Sequence, residues 1–171
     1  GRQIRLGQRE FTLATAPGPC PGHAVLWNGA ERLLFSSRAV VERSFGRSTW
    51  RDVASYVSTL EQLHDLQPAT LLPTFGRVDH DARYALTRTH RAVTGLLGHL
   101  PFAVQKQMTL AELLYLDLGR VPSQHPRLVE TARSRLACLD YLVATSALDR
   151  SGSGPEALYG AAAPISRSMI G

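Results

Sequence analysis

The sequence predicts an α+β fold, and three observations carry that expectation. Short strand-like segments separated by turn residues fill the first 35 positions, apolar residues recur at helical spacing in three later stretches, and a short apolar run separates the first two of those stretches. With 44% hydrophobic residues in a chain of 171, there is enough apolar surface to bury a core.

The alternation begins with Ile4 and Leu6, turns at Gly7-Gln8 and resumes with Phe11 and Leu13, which reads as a hairpin. After the Pro/Gly-rich stretch from Ala16 to His23, the segments Ala24 to Trp27 and Arg32 to Phe35 flank Asn28-Gly29. That pair readily takes the positive φ angles of a two-residue type I′ turn, so a second antiparallel pair is expected. Arg43, Ser44, Gly46 and Arg47 then form a loop. Thr49 is the expected N-cap of the first helix, with Asp52 three residues on and Trp50, Val53, Val57, Leu60 and Leu63 along one face. Pro68 stops that helix, and Ala69 to Leu72 reads as a short buried strand.

A second helix runs from Asp81 with Ala82, Ala85, Leu86, Thr89, Val93, Leu96, Leu97 and Leu100 on one face, ending before Pro101. Thr109 and Glu112 form a capping box that opens a short helix. The last helix, from about Pro126, places Leu128, Val129, Ala132, Leu136, Leu139, Leu142 and Val143 on a packing stripe. Arg127, Arg133 and Arg135 lie off it, where they face solvent, RNA phosphates or a partner. Beyond Asp149 the chain is rich in Gly, Ser, Ala and Pro, ending near Ala161-Ala162-Ala163-Pro164, and predicts an extended tail.

The net charge of +5 comes almost entirely from arginine, Lys106 being the only lysine. Arginine binds phosphate bidentately and stacks on bases, which suits an RNA-rich or acidic neighbourhood; the scattered positions equally suit a GC-rich coding bias. Cys20 and Cys138 are far apart and lack zinc-finger spacing, so neither a zinc site nor a disulfide framework is expected. No apolar run approaches the roughly 20 residues of a membrane span, and no signal peptide is visible. The chain lacks an initiator methionine and reads directly into a strand, which leads us to expect that the N-terminal half of a longer protein lies outside it.

Three short segments carry a family resemblance. Ala16-Pro17-Gly18-Pro19-Cys20-Pro21-Gly22-His23 resembles the T-P-G-H-T-P-G-H segment of the metallo-β-lactamase superfamily. Leu33-Leu34-Phe35-Ser36-Ser37-Arg38 resembles its L-L-F-S-G-D segment, and Leu71-Leu72-Pro73-Thr74-Phe75-Gly76 its L-x-P-G-H-G segment. His90-Arg91 and the Thr109-to-Leu113 stretch resemble features of the mitochondrial endoribonuclease and acyl-thioesterase type. The resemblance covers most of the chain to about Asp149. It implies the C-terminal half of an αββα sandwich over residues 1–100, a small helical winged-helix-like region over 101–149, and the tail over 150–171.

In the family, the first histidine, the aspartate and the last histidine of these segments bind metal. Here those positions hold Pro19, Arg38 and Phe75, and the upstream H-x-H-x-D-H cluster is absent. A binuclear hydrolase needs carboxylate and imidazole ligands to lower the pKa of its attacking water, and none of the three replacements can serve. His23 matches the second histidine of its motif, usually not a ligand, and reads as a loop histidine bonding to backbone. His64, His80, His90, His99 and His125 form no compact ligand set. Arg38 either fills the vacated metal space, paired with a carboxylate from outside the chain, or faces solvent. Ser36 and Ser37 lack a G-x-S-x-G elbow and a base, while Trp27, Phe35 and Trp50 read as core aromatics.

The resemblance with its missing ligands implies a pseudoenzyme without cofactor, kept as a structural or assembly subunit of a larger complex. Proteins of a large assembly are the expected partners, together with ribosomal or other structured RNA, and a mitochondrial ribosome fits the relatives. Two alternatives stand beside it. One is a metal-dependent hydrolase, ribonuclease or thioesterase, whose ligands come from the missing half; the other is a protein-only scaffold or regulatory partner of an active homologue.

Overall fold

A computed structural model of the chain describes residues 1–40, 52–104, 106–118 and 128–162. The initial alternation forms β1 (Arg2–Leu6) and β2 (Arg9–Thr15), joined across Gly7, whose φ of +63° suits the tight turn. With β3 (Ala24–Asn28), β4 (Leu33–Ser37) and β5 (Thr70–Pro73) they build a sheet ordered β1-β2-β3-β4-β5. The first three pairings are antiparallel; β4 and β5 are parallel and joined through the helix α1 (Val53–Asp65).

Two local expectations change here. Asn28 pairs with Leu33, so the β3–β4 connection runs from Gly29 to Arg32, and Arg32 rather than Gly29 takes the positive φ, +51°. The Asn28 side chain makes this turn: its Oδ1 accepts the Glu31 N–H at 2.7 Å, and its Nδ2 donates to the Glu10 carbonyl at 3.1 Å. At the start of α1, the N-cap is Asp52, whose carboxylate accepts the Ser55 N–H at 3.0 Å. Thr49 and Trp50 lie outside the described residues, as does the loop from Arg43 to Arg47.

The sheet buries Val25, Leu34 and Leu71 against α1 and α2 (Ala82–Ala103), which contribute Val53, Tyr56, Leu60, Leu63, Ala85 and Leu86. Each such Leu contributes about 1.5–3 kcal/mol on leaving water. Trp27 packs against this cluster as expected. The opposite sheet face is also apolar but only half-buried, with Leu13, Leu26 and Leu72 beside Phe35, which meets Phe11 edge to face at 5.8 Å. α2 starts after Asp81 as the sequence suggests, capped by that carboxylate, but the helix passes through Pro101 and closes at Val104, whose N–H donates to the Leu100 carbonyl at 3.0 Å. Burial of Leu100 and Val104 holds the last turn despite the missing proline N–H.

The C-terminal region contains β6 (Met108–Thr109), α3 (Leu110–Leu118), α4 (Leu128–Ala144), β7 (Leu148–Ser151) and β8 (Leu158–Ala161). The capping box is present: Glu112 N–H donates to Thr109 Oγ1 at 3.3 Å, and the Glu112 carboxylate accepts Thr109 N–H at 2.7 Å, which lowers its pKa. The three strands form an antiparallel sheet ordered β6-β8-β7, so this region runs as a strand, two helices and a hairpin.

That hairpin corrects the expected tail. Residues 150–161 are folded, anchored by Leu148, Ala157 and Tyr159, each no more than 2% exposed. Positions beyond 162 lie outside the described residues. The packing stripe of α4 is corrected too: it runs through Ser134, Cys138 and Leu142 with Leu139 beside it, whereas Val129 and Leu136 are exposed. Contact with α1, α2 and the small sheet selects that face, and one continuous core joins Leu60 and Leu86 to Leu113, Leu139 and Tyr159.

Candidate functional site at the strand ends

Because β2 is antiparallel to β3 and β3 to β4, β2 runs parallel to β4 and β5. The chain therefore leaves all three strands at the same end of the sheet, and this brings the three sequence motifs together. The first loop is bent by Gly18, at φ +134°, whose missing side chain lets it lie against α1; a Cβ there would stand 2.6 Å from the Cβ of Tyr56. Thr59 Oγ1 donates to the Pro17 carbonyl at 2.7 Å and the Tyr56 hydroxyl to the Ala39 carbonyl at 2.6 Å, so α1 holds both the first and the second loop.

His23 ties these two loops to each other. Its ring is buried, 7% exposed; Nδ1 lies 2.8 Å from the Ala16 carbonyl, and Nε2 lies 3.1 Å from the Arg38 backbone nitrogen. A carbonyl only accepts and a backbone N–H only donates, so Nδ1 carries the proton and Nε2 is the acceptor. Burial lowers the His23 pKa, the Ala16 hydrogen bond opposes that shift, and the positive charge of Arg38 adds to it. The sequence reading of His23 as a loop histidine bonded to backbone matches this arrangement.

The second and third loops are joined by Thr74 N–H donating to the Ser37 carbonyl at 2.9 Å. Ser37 has φ +51°, a left-handed conformation at the position that is glycine in the resembled motif, and Gly76 follows at +112°. Ser36 Oγ is buried and has no hydrogen-bond partner among the described residues, so it is not placed as an activated nucleophile.

The three degenerate positions come to this same end of the sheet, but as Pro19, buried, and Arg38 and Phe75, both exposed. Proline and phenylalanine offer no donor atom to a metal, and a guanidinium repels one. Among the described residues, no group of three or more His, Cys, Asp or Glu side chains could hold a metal ion. The residues present do not fit the binuclear centre that the resemblance implies. Beside the loops, an open groove of about 480 Å³ runs over the half-buried sheet face between Leu13, Leu26, Phe35 and Leu72, with Ser37 and Thr74 at its polar end.

The proposed RNA- or partner-facing arginines are not brought together into a described cluster. Arg127 lies outside the described residues, Arg133 is exposed and Arg135 is half-buried. Residues 104–162 hold six Lys or Arg against six Asp or Glu, so the basic excess lies elsewhere in the chain. Cys138 is fully buried with its pKa pushed up to about 12 by desolvation, which makes it a packing residue rather than a nucleophile. Sequence reasoning missed the clamps made by Tyr56 and Thr59; the only local signal was a glycine between two prolines. Among the described residues, no helix is long and apolar enough to cross a membrane.

Residues 1–74 match the family model of the metallo-beta-lactamase superfamily. The fold is similar to that of a metallo-beta-lactamase family protein from Thermus thermophilus, with 22% identity, a TM-score of 0.77, and coverage of 94% of this chain and 52% of that one. It is likewise similar to a beta-lactamase domain protein from Burkholderia ambifaria, with 21% identity, a TM-score of 0.84, and coverage of 95% and 51%. The chain thus spans about half the length of these solved structures, and no curated protein matches it. The family match thus covers the first 74 residues, and over nearly its whole length the chain shares the fold of these two proteins.

Proposed function

We propose that this chain is a metal-free form of the fold that acts as a structural or assembly subunit of a larger complex. The observation that carries the reading is the use of His23: both ring nitrogens are committed to backbone partners in the loops where a metal would sit. A metal would have to displace one of those bonds and would then meet Pro19, Arg38 and Phe75. The half-buried apolar face of Leu13, Leu26, Phe35 and Leu72 supports a packing role, since such a face is stabilised by a second layer. An RNA-containing particle, a mitochondrial ribosome among them, is the setting suggested by the family resemblance and the arginine-derived charge.

The rival reading is a hydrolase, ribonuclease or thioesterase, whose ligands come from outside this chain; its support is that the chain spans only half of the related structures. Elemental analysis of the full-length protein, purified natively with its associated RNA and proteins, separates the two. Absence of stoichiometric zinc, iron and manganese, with recovery in an RNA-containing particle, is the expected result. Recovery with proteins alone removes the RNA and keeps the scaffold. Stoichiometric metal retained together with hydrolytic activity overturns the proposal.

A further inference from the structure

α2 buries one side through Ala85, Leu86, Thr89, Val93 and Leu100 and leaves the other to solvent. Along that outer side Tyr84, Arg88, Arg91, Gly95, Gly98 and Phe102 succeed one another at steps of three or four residues, a stripe about 27 Å long at the helical rise. All six are exposed, Phe102 by 73% and Tyr84 by 60%.

Three properties of the stripe are unexplained by the chain's own packing. Gly95 and Gly98 sit in the body of the helix, where glycine is disfavoured more than any residue but proline, and a Cβ at either would meet nothing within 4 Å. Phe102 is an uncovered aromatic one turn beyond them. The helix also carries Arg83, Arg88 and Arg91 and no acidic residue, with the Arg88 guanidinium 5.8 Å from the centroid of the Tyr84 ring.

We propose that this stripe docks an acidic helix of a partner protein. Two glycines three residues apart let a second helix backbone come close, Phe102 and Tyr84 supply apolar contact at either end, and Arg88 and Arg91 complement carboxylates. The backbone N–H groups at mid-helix are consumed by helical hydrogen bonds, so the glycines offer no donors to a phosphate backbone. A second copy of α2 would set arginines against arginines with no acid to offset them. This inference rests on the assembly reading and names the chemistry of one partner.

The test replaces Phe102 with the photo-crosslinking residue p-benzoylphenylalanine in the full-length chain within its native complex. Crosslinks are expected to a protein segment bearing Asp or Glu at helical spacing. The pairs Arg88→Glu with Arg91→Glu, and Gly95→Leu with Gly98→Leu, should each cut the yield at least tenfold. Circular dichroism and the thermal midpoint should show both variants folded, since leucine favours the helix more than glycine does. Crosslinks to RNA or to a second copy, no crosslink at all, or a yield unmoved by both pairs overturns the docking site. Metal retained in the native protein would overturn the metal-free reading independently, because no crosslink outcome depends on it.

Discussion

In the loops at the ends of β2, β4 and β5, shape is set by the backbone: Gly18, Ser37 and Gly76 hold positive φ angles of +134°, +51° and +112°. In the hairpin of β7 and β8, shape is held by burial, with Leu148, Ala157 and Tyr159 almost wholly withdrawn from water. The loops carry Pro19, Arg38 and Phe75 where the resembled motifs have ligands, and left-handed turns and cross-loop hydrogen bonds hold their shape. The difference teaches that these loops take their shape from backbone conformation and from hydrogen bonds to backbone, which Pro19, Arg38 and Phe75 do not supply. It also shows how a segment with no periodic pattern folds when a neighbouring core accepts a few of its residues.

The comparison is broken most severely by Tyr159→Ala, which should cost about 3–5 kcal/mol by emptying the anchor of the hairpin. Urea unfolding of the full chain measures it, and a loss below about 1 kcal/mol would mean that burial does not hold this segment. Gly18→Ala should follow at about 3 kcal/mol, since it combines a disfavoured φ with overlap against Tyr56. If the variant is as stable as the parent, the loop is not fixed by its backbone.

His23→Ala should cost about 2 kcal/mol by leaving the Ala16 carbonyl and the Arg38 N–H without their partner. It also sharpens the comparison through pH. His23 has a lowered pKa in the folded chain, so between that value and about 6.5 the unfolded chain binds more protons. Its contribution is fully present above about 6.5 and is lost as pH falls toward the lowered value. Stability measured from about pH 7.5 downward should therefore fall less steeply in His23→Ala than in the parent. Equal slopes would show that the ring does not titrate differently on folding.

Much of the sheet was legible in the sequence because alternation at Ile4, Leu6, Phe11 and Leu13 and the apolar run before Pro73 report directly on faces and length. The order of the motifs pointed to the strand ends, and the replacement of ligands at Pro19, Arg38 and Phe75 was readable residue by residue. The register at Asn28 was not, because its side chain accepts the Glu31 N–H and donates to Glu10 of the preceding strand, in a turn whose positive φ falls at Arg32 rather than Gly29. The face of α4 was not either: Leu136 and Cys138 are both apolar, and only contact with other elements decided between them.

By itself, then, the sequence determined the first five strands and the helices, the cap at Thr109 and the absence of donor atoms at three motif positions, all of which depend on residues near one another along the chain. The tertiary structure alone decided that His23 spends both nitrogens on two separate loops, that Gly18 lies against Tyr56, and that Tyr159 draws an aperiodic segment into the core. Those are contacts between residues well separated along the chain or between faces of equal apolarity, and their outcome is fixed by which surfaces the folded chain leaves to bury.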